Sequence, residues 1–204
     1  MIARLAIPTL LIAGALMAVL YALSVRPAHY SRRHGPLAYG ICTSLRLSAV
    51  LCMGIVTVCY VYLGLFPPSL PIPARFPWPW GISLALAVLI GAPALWFMLR
   101  GTLDAGMESL IPDPSHTMFG GIYRRVRHPQ AVGELGLWFA LAIGLNSLFL
   151  TLFSLIWIPV YVWWSFAEEA DLLLRYENTY EEYRARTPMF FPTREQPNGR
   201  HKPA

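Results

Sequence analysis

Two polar clusters interrupt an otherwise apolar chain, and both carry groups suited to holding a charged ligand. The first runs Asp113-Pro114-Ser115-His116-Thr117-Met118-Phe119-Gly120-Gly121-Ile122-Tyr123-Arg124-Arg125-Val126-Arg127-His128-Pro129, then Gln130-Ala131-Val132-Gly133-Glu134. Pro129 suits the first turn of a helix, and Gly120-Gly121 allows backbone to approach a ligand closely. A helix opening there would offer free N–H groups to an anion. The second cluster starts at Glu168-Glu169-Ala170-Asp171 and runs to Tyr183. In it Glu168, Leu172, Tyr176, Tyr180 and Tyr183 recur at helical spacing, which predicts one continuous helix face. That helix presents carboxylates at a lipid–water boundary with an aromatic stripe below them. Asp171/Arg175 and Glu182/Arg186 are four apart, favourable pairs for its solvated side. Thr187-Pro188 ends the helix, and Phe190-Phe191-Pro192 is apolar enough to fold back onto the membrane face.

The elements that position these clusters follow from composition. Of 204 residues, 56% are hydrophobic and only 13% charged, and the mean hydropathy is +0.48. A globular surface needs roughly 25% charged residues, so the chain reads as an all-α integral membrane protein. Residues 5–25, 47–66 and 81–99 are apolar runs of membrane-spanning length. Residues 5–25 are too long for the core of a signal peptide and read as a retained anchor. Arg46 stands at the mouth of the second run, placed to snorkel, and Pro93 is a candidate kink in the third. Between the second and third runs lies a proline-rich connector, Pro67-Pro68-Ser69-Leu70-Pro71-Ile72-Pro73 with Pro77 and Pro79, which cannot stay helical. Residues 135–167 carry no formal charge and would form a single helix of about 50 Å. That exceeds any ordinary bilayer, whereas Gly144-Leu145-Asn146-Ser147 has turn chemistry near the middle. A helical hairpin is expected there.

Five spans with the N-terminus outside satisfy the positive-inside rule. That topology puts Arg26, Arg32, Arg33, Arg46, Arg100, Arg124, Arg125, Arg127 and the basic tail in the cytoplasm, and leaves only Arg4 and Arg75 outside. Both polar clusters then face the cytoplasm, with the C-terminal helix capping a pocket. The expected organisation is a three-span region over 1–100, a core over 101–192 and a flexible tail over 193–204.

The same features exclude other classes. Cys42, Cys52 and Cys59 share one apolar segment, so neither a disulfide framework nor a metal knuckle is expected. The formal charge of +5 follows topology rather than nucleic-acid binding, and no phosphate-binding glycine loop is present. Plainer readings stand beside the chemical ones. Arg124, Arg125 and Arg127 read equally as a positive-inside cluster, Glu168-Glu169 as a solvated helix segment, and Trp163/Trp164 as an aromatic belt. Tyr180 and Tyr183 read as packing, as do Cys52 and Cys59. Glu134 is costly in lipid and implies a partner or a site, or a snorkelling interfacial carboxylate.

Taken in order around the hairpin, the two clusters resemble the isoprenylcysteine carboxyl methyltransferase superfamily, which includes phospholipid methyltransferases. Gly121-Ile122-Tyr123, Arg127-His128-Pro129 and Gly133 follow its first motif. Glu168-Glu169, Leu172, Tyr176, Tyr180, Tyr183 and Thr187-Pro188 follow its second. The resemblance covers about residues 100–192 and implies an S-adenosylmethionine-dependent membrane methyltransferase. It implies cofactor contacts from Glu108, Ser115, His116, Thr117, Met118, Tyr123, His128, Pro129, Gln130, Ala131 and Glu168, and catalytic roles for Arg127 and Glu169. On this reading Glu168 or Glu169 pairs with the cofactor's ammonium. Arg127 and the free amides near His128 hold its carboxylate, and aromatic faces such as Tyr123 stack on adenine or sit near the sulfonium. The implied partners are the bilayer and a lipidic or small hydrophobic acceptor, without metal or nucleic acid.

Three positions depart from the motifs. A tyrosine is replaced by Ala131, a glycine by Glu177, and an arginine one turn before the paired glutamates by Trp164. The last points away from a prenylcysteine carboxylate as acceptor and toward something uncharged, such as a hydrophobic thiol, with a phospholipid amine also open. Two other readings stand: an NADPH-dependent reductase related to sterol reductases, and a non-catalytic protein on the same scaffold.

Overall fold

A computed structural model describes residues 2–113 and 120–191 of the chain. All regular elements among them are helical. They are α1 (Ile2–Ser24), α2 (Pro27–His34), α3 (Leu37–Leu65), α4 (Trp80–Ala105), α5 (Pro129–Gly144), α6 (Leu148–Ser154), α7 (Trp157–Tyr176) and α8 (Asn178–Arg186), with single 3₁₀ turns at Gly106–Ser109 and Gly121–Arg124. Four stretches are long and apolar enough to cross a membrane: Leu5–Ser24, Leu37–Leu65, Trp80–Ser109 and Leu148–Tyr176. Helices suit such runs because each backbone donor and acceptor is satisfied inside its own segment. The fifth expected span corresponds to α5, which at 16 residues is roughly 24 Å long and shorter than the other four.

The hairpin turns where the sequence places it. Asn146 adopts φ 53°, a left-handed conformation that asparagine tolerates. The Ser147 hydroxyl then caps α6, accepting from the Leu150 amide at 3.3 Å. The proline connector and the start of α4 pack onto this turn and satisfy its exposed carbonyls. Trp80 Nε1 donates to Gly144 O at 2.8 Å and Arg75 donates to Leu145 O, while Ser83 links to Asn146 at 2.9 Å.

The opposite end of the bundle is polar, and two sequence expectations fail there. Arg46 does not snorkel. It is 7% exposed, and its guanidinium donates to Glu108 O at 2.9 Å, Ser109 O at 3.3 Å and Ser24 O at 3.3 Å. Carbonyls orphaned at the ends of α1 and of the first 3₁₀ turn thus find a donor, and α3 runs on past the charge to Leu37. Asp171 does not form a solvated pair with Arg175 either. It is buried and accepts from the amides of Ala28 at 3.1 Å and His29 at 2.8 Å, capping α2 from 142 residues away in sequence. Glu182 and Arg186 do pair on the surface, at 3.4 Å. Pro93 lies within an unbroken α4. The aromatic core joins α3, α5 and α7: Trp157 Nε1 donates to Tyr60 OH at 2.9 Å, and Trp138 stacks on Trp157 with centroids 5.8 Å apart. Cys59 is buried as expected, Cys52 is half-buried, and Cys42 is buried as well.

The helix predicted through Tyr183 is interrupted. α7 stops at Tyr176, Glu177 turns to φ 47°, and α8 begins at Asn178. A side chain at positive φ is strained, and the exposed Glu177 side chain makes no capping hydrogen bond to offset it. Replacing it with glycine should raise stability by about 1 kcal/mol, seen as a higher midpoint for Glu177→Gly in detergent thermal unfolding. Gly133 is constrained differently. A Cβ there would sit 2.4 Å from Met98 N and 2.6 Å from Ala94 O, so α5 lies directly on the α4 backbone. Gly133→Ala should push the helices apart and cost about 2 kcal/mol, lowering the same midpoint.

Candidate active site

Arg127 and His128 hold the first turn of α5 against the C-terminal third of α7. The imidazole of His128 is buried and placed between two carboxylates, with Nε2 3.1 Å from Glu169 and Nδ1 3.4 Å from Glu168. Arg127 Nε donates to Glu169 at 2.8 Å, and Arg127 Nη1 donates to Arg184 O at 3.0 Å and to Thr187 O. The segment after α8 folds back as expected. Pro188 O accepts from Arg127 N at 3.0 Å, Met189 O accepts from His128 N at 3.1 Å, and the Phe190 ring lies 6.0 Å from the imidazole. The backbone amides of Arg127 and His128 are therefore occupied. The free first-turn donors are instead the amides of Gln130 and Ala131, which have no partner among the described residues.

A narrow cleft opens beside this cluster. Its lining includes Tyr21, Tyr123, Arg127, His128, Pro129, Gln130, Ala131, Glu134, Tyr161, Trp164 and Glu168. It holds about 30 Å³, enough for one or two water molecules. A second cleft shares Tyr21, Gln130 and Glu168 with it and continues to Arg46, Glu108 and Arg175. There Arg175 and Glu108 form an ion pair at 2.7 Å, and Glu108 also accepts from Asp113 N at 2.6 Å.

Of the sequence-predicted residues, the fold brings Tyr123, Arg127, His128, Pro129, Gln130, Ala131 and Glu168 to one cleft and Glu108 to its neighbour. Glu169 lies behind His128 and braces it together with Arg127. Ser115, His116, Thr117 and Met118 lie outside the described residues. Gly121 serves its own chain: at φ 55° it lets the Asp104 carboxylate approach to 2.7 Å from the Ile122 amide. Trp163, 45% exposed, keeps the belt reading, whereas Trp164, 4% exposed, does not. Trp164 donates to Ala18 O at 2.9 Å, packs on Tyr21 and Tyr161, and walls the cleft. Glu134 has the partner its cost demanded, accepting from Tyr161 OH at 2.9 Å. Sequence reading passed over Tyr21 and Tyr161. They sit in apolar runs whose inward face becomes apparent only when the helices pack.

Electrostatics set the protonation states around the cleft. Burial opposes charge on His128, but the hydrogen bonds and negative charge of Glu168 and Glu169 outweigh it and hold the imidazole above its ordinary 6.5. With a carboxylate at each ring nitrogen, both nitrogens act as donors. Burial, reinforced by the charge of Glu168, keeps the Tyr123 phenol well above its usual range and neutral.

Residues 82–179 match the phospholipid methyltransferase family. This segment, running from α4 through α7 to the start of α8, is similar to that family. No curated protein and no solved structure matches the chain.

The His128 shift carries a sign. An unfolded histidine titrates near 6.5 and the folded one higher, so its contribution to stability is complete below 6.5 and is lost as pH rises through the folded value. The thermal midpoint in detergent should fall as pH is raised above 6.5, and His128→Gln should flatten that slope. Scanning fluorimetry across the pH series measures both.

Proposed function

We propose that the protein is an S-adenosylmethionine-dependent methyltransferase that methylates a lipidic or small hydrophobic acceptor at the membrane surface. The observation that carries this reading is the convergence of Tyr123, His128, Gln130, Ala131 and Glu168 on one cleft within the methyltransferase-family segment.

The residues fit such a cofactor. Glu168 keeps 27% of its side chain exposed and can pair with an ammonium. The unpartnered amides of Gln130 and Ala131, the free amides near His128, suit a carboxylate at a helix N-terminus. The faces of Tyr21, Tyr123 and Trp164 suit adenine and a sulfonium. Bound there, the cofactor supplies an electrophilic methyl group. The protein's own part is then to align the two reactants and exclude water. Arg127 and Glu169 are positioning residues in this scheme: Glu169 lies outside the cleft lining, and the side-chain hydrogen bonds of Arg127, which does line the cleft, go to Glu169, Arg184 O and Thr187 O. A nucleoside-sized ligand needs several hundred Å³. The two clefts share Tyr21, Gln130 and Glu168 as lining, so together they extend from His128 to Glu108.

The same reading assigns topology. Counting α5 as a crossing gives five spans and puts the polar end in the cytoplasm. That end gathers Arg26, Arg32, Arg33, Arg100, Arg124 and Arg125, whereas Arg75 lies by the hairpin turn. Residues 101–192 form the reacting core on an N-terminal region, 1–100, that lends Tyr21 and Arg46; the expected tail, 193–204, lies outside the described residues. A solvent-free Trp164 in the cleft wall favours an uncharged acceptor.

Isothermal titration of the detergent-purified protein with S-adenosylhomocysteine tests the reading. Saturable binding is expected, weakened about tenfold or more in both Glu168→Ala and His128→Ala. Absence of binding at millimolar ligand refutes it.

A further inference from the structure

Most acidic side chains around the cleft are neutralised by a permanent partner. Glu168 and Glu169 meet His128, and Glu169 also meets Arg127. Glu108 meets Arg175, Asp171 meets two backbone amides, and Asp104 meets Arg100. Glu134 differs. It lines the cleft from α5, six residues and roughly 9 Å beyond His128 toward the bilayer interior. Among the described residues it has no cation and no amide partner, only the hydroxyl of Tyr161 at 2.9 Å.

That hydroxyl is itself held. Trp138 Nε1 donates to the Tyr161 oxygen at 3.1 Å, so the phenolic proton is directed to Glu134. One carboxylate oxygen is thereby fixed by a neutral donor, and no counter-ion lowers the basicity of the group. A carboxylate near the apolar interior is costly, and one kept without a cation is chemically suited to accept a proton. Glu169, by contrast, is occupied on both sides and buried behind the imidazole.

We infer that Glu134 is the proton acceptor of the transfer, and that the methyl acceptor is therefore a protic nucleophile, an amine or a thiol, rather than a carboxylate. This rests on the proposed methyl-donor reading. A lone pair on nitrogen or sulfur attacks the methyl carbon, and the C–S bond of the sulfonium breaks with its electron pair left on sulfur as a thioether. The N–H or S–H proton passes to the Glu134 carboxylate, which returns it to water after product leaves. A carboxylate acceptor has no proton to lose and gives this residue nothing to do. Groups facing Glu134 across the cleft are Tyr21 from α1, Tyr123 from the second 3₁₀ turn, Arg127 and His128 at the start of α5, and Tyr161 and Glu168 from α7. Of these only Tyr161 bonds to it.

The test uses full-length protein in detergent with radiolabelled S-adenosylmethionine and three probes: phosphatidylethanolamine micelles, dodecanethiol and N-acetyl-S-farnesylcysteine. Label is expected in the amine or the thiol. Glu134→Gln keeps the shape and can still accept from Tyr161, so it should fold. It should bind S-adenosylhomocysteine within about twofold of wild type and lose about 100-fold or more in kcat. Its residual rate should climb with pH as free acceptor deprotonates, and Glu134→Asp should recover part of the loss. Tyr161→Phe removes a hydrogen bond that favours the carboxylate, so the ascending, acid-side limb of its pH–rate profile should move to higher pH. Label only in the farnesylcysteine probe, label in none of the three, or a Glu134→Gln kcat within about threefold of wild type overturns the inference. Failure of wild type to bind S-adenosylhomocysteine overturns the methyl-donor reading itself, and the titration separates the two failures.

Discussion

A buried imidazole held between two carboxylates is the interaction on which the polar end of this molecule depends. Charges removed from water must be matched closely or they destabilise the fold. Here the matching draws on distant segments: His128 at the start of α5, Glu168 and Glu169 in α7, and Arg127 reaching on to the carbonyls of Arg184 and Thr187. The amides of Arg127 and His128 add two bonds to Pro188 and Met189. Any motion that separates α5 from α7 leaves several charges unpaired at once, so the two polar segments behave as one unit.

A second clamp repeats the principle on the other side of the cleft. Arg46 satisfies carbonyls at the ends of α1 and the Gly106–Ser109 turn, Arg175 pairs with Glu108, and Asp171 caps α2. These contacts tie the first three helices to α7 where apolar packing gives out. The cleft lies between the two clamps. Most charged groups along its walls already serve neutralising roles, and what remains available is limited: one face of Glu168, the first amides of α5, three aromatic faces and Glu134. The proposed chemistry uses that remainder.

The far end solves a different problem with different means. There the turn at Asn146 leaves carbonyls at the end of α5, and Trp80 at the start of α4 and Arg75 from the proline connector satisfy them. Between the ends, Gly133 lets α5 lie on the backbone of α4, which places the Arg127-His128-Pro129 segment at a fixed height on the bundle.

Much of this was legible in the residues alone. Uncharged runs of spanning length, a hairpin in residues 135–167 and a pairing of the two polar clusters follow from hydropathy, turn chemistry and helical length, because lipid permits few backbone solutions. Composition also marked Phe190-Phe191-Pro192 as apolar enough to fold back. Three things depended on the tertiary structure. Arg46 and Asp171 read as surface charges, because nothing local marks a helix end that a remote side chain will cap. The break at Glu177 was hidden because a helical pattern of tyrosines continues through it and glutamate carries no turn signal. Tyr21, Tyr161 and Trp164 belong to apolar runs in which every face looks alike, and only packing decides which rings turn toward the cleft and which, like Trp163, toward lipid.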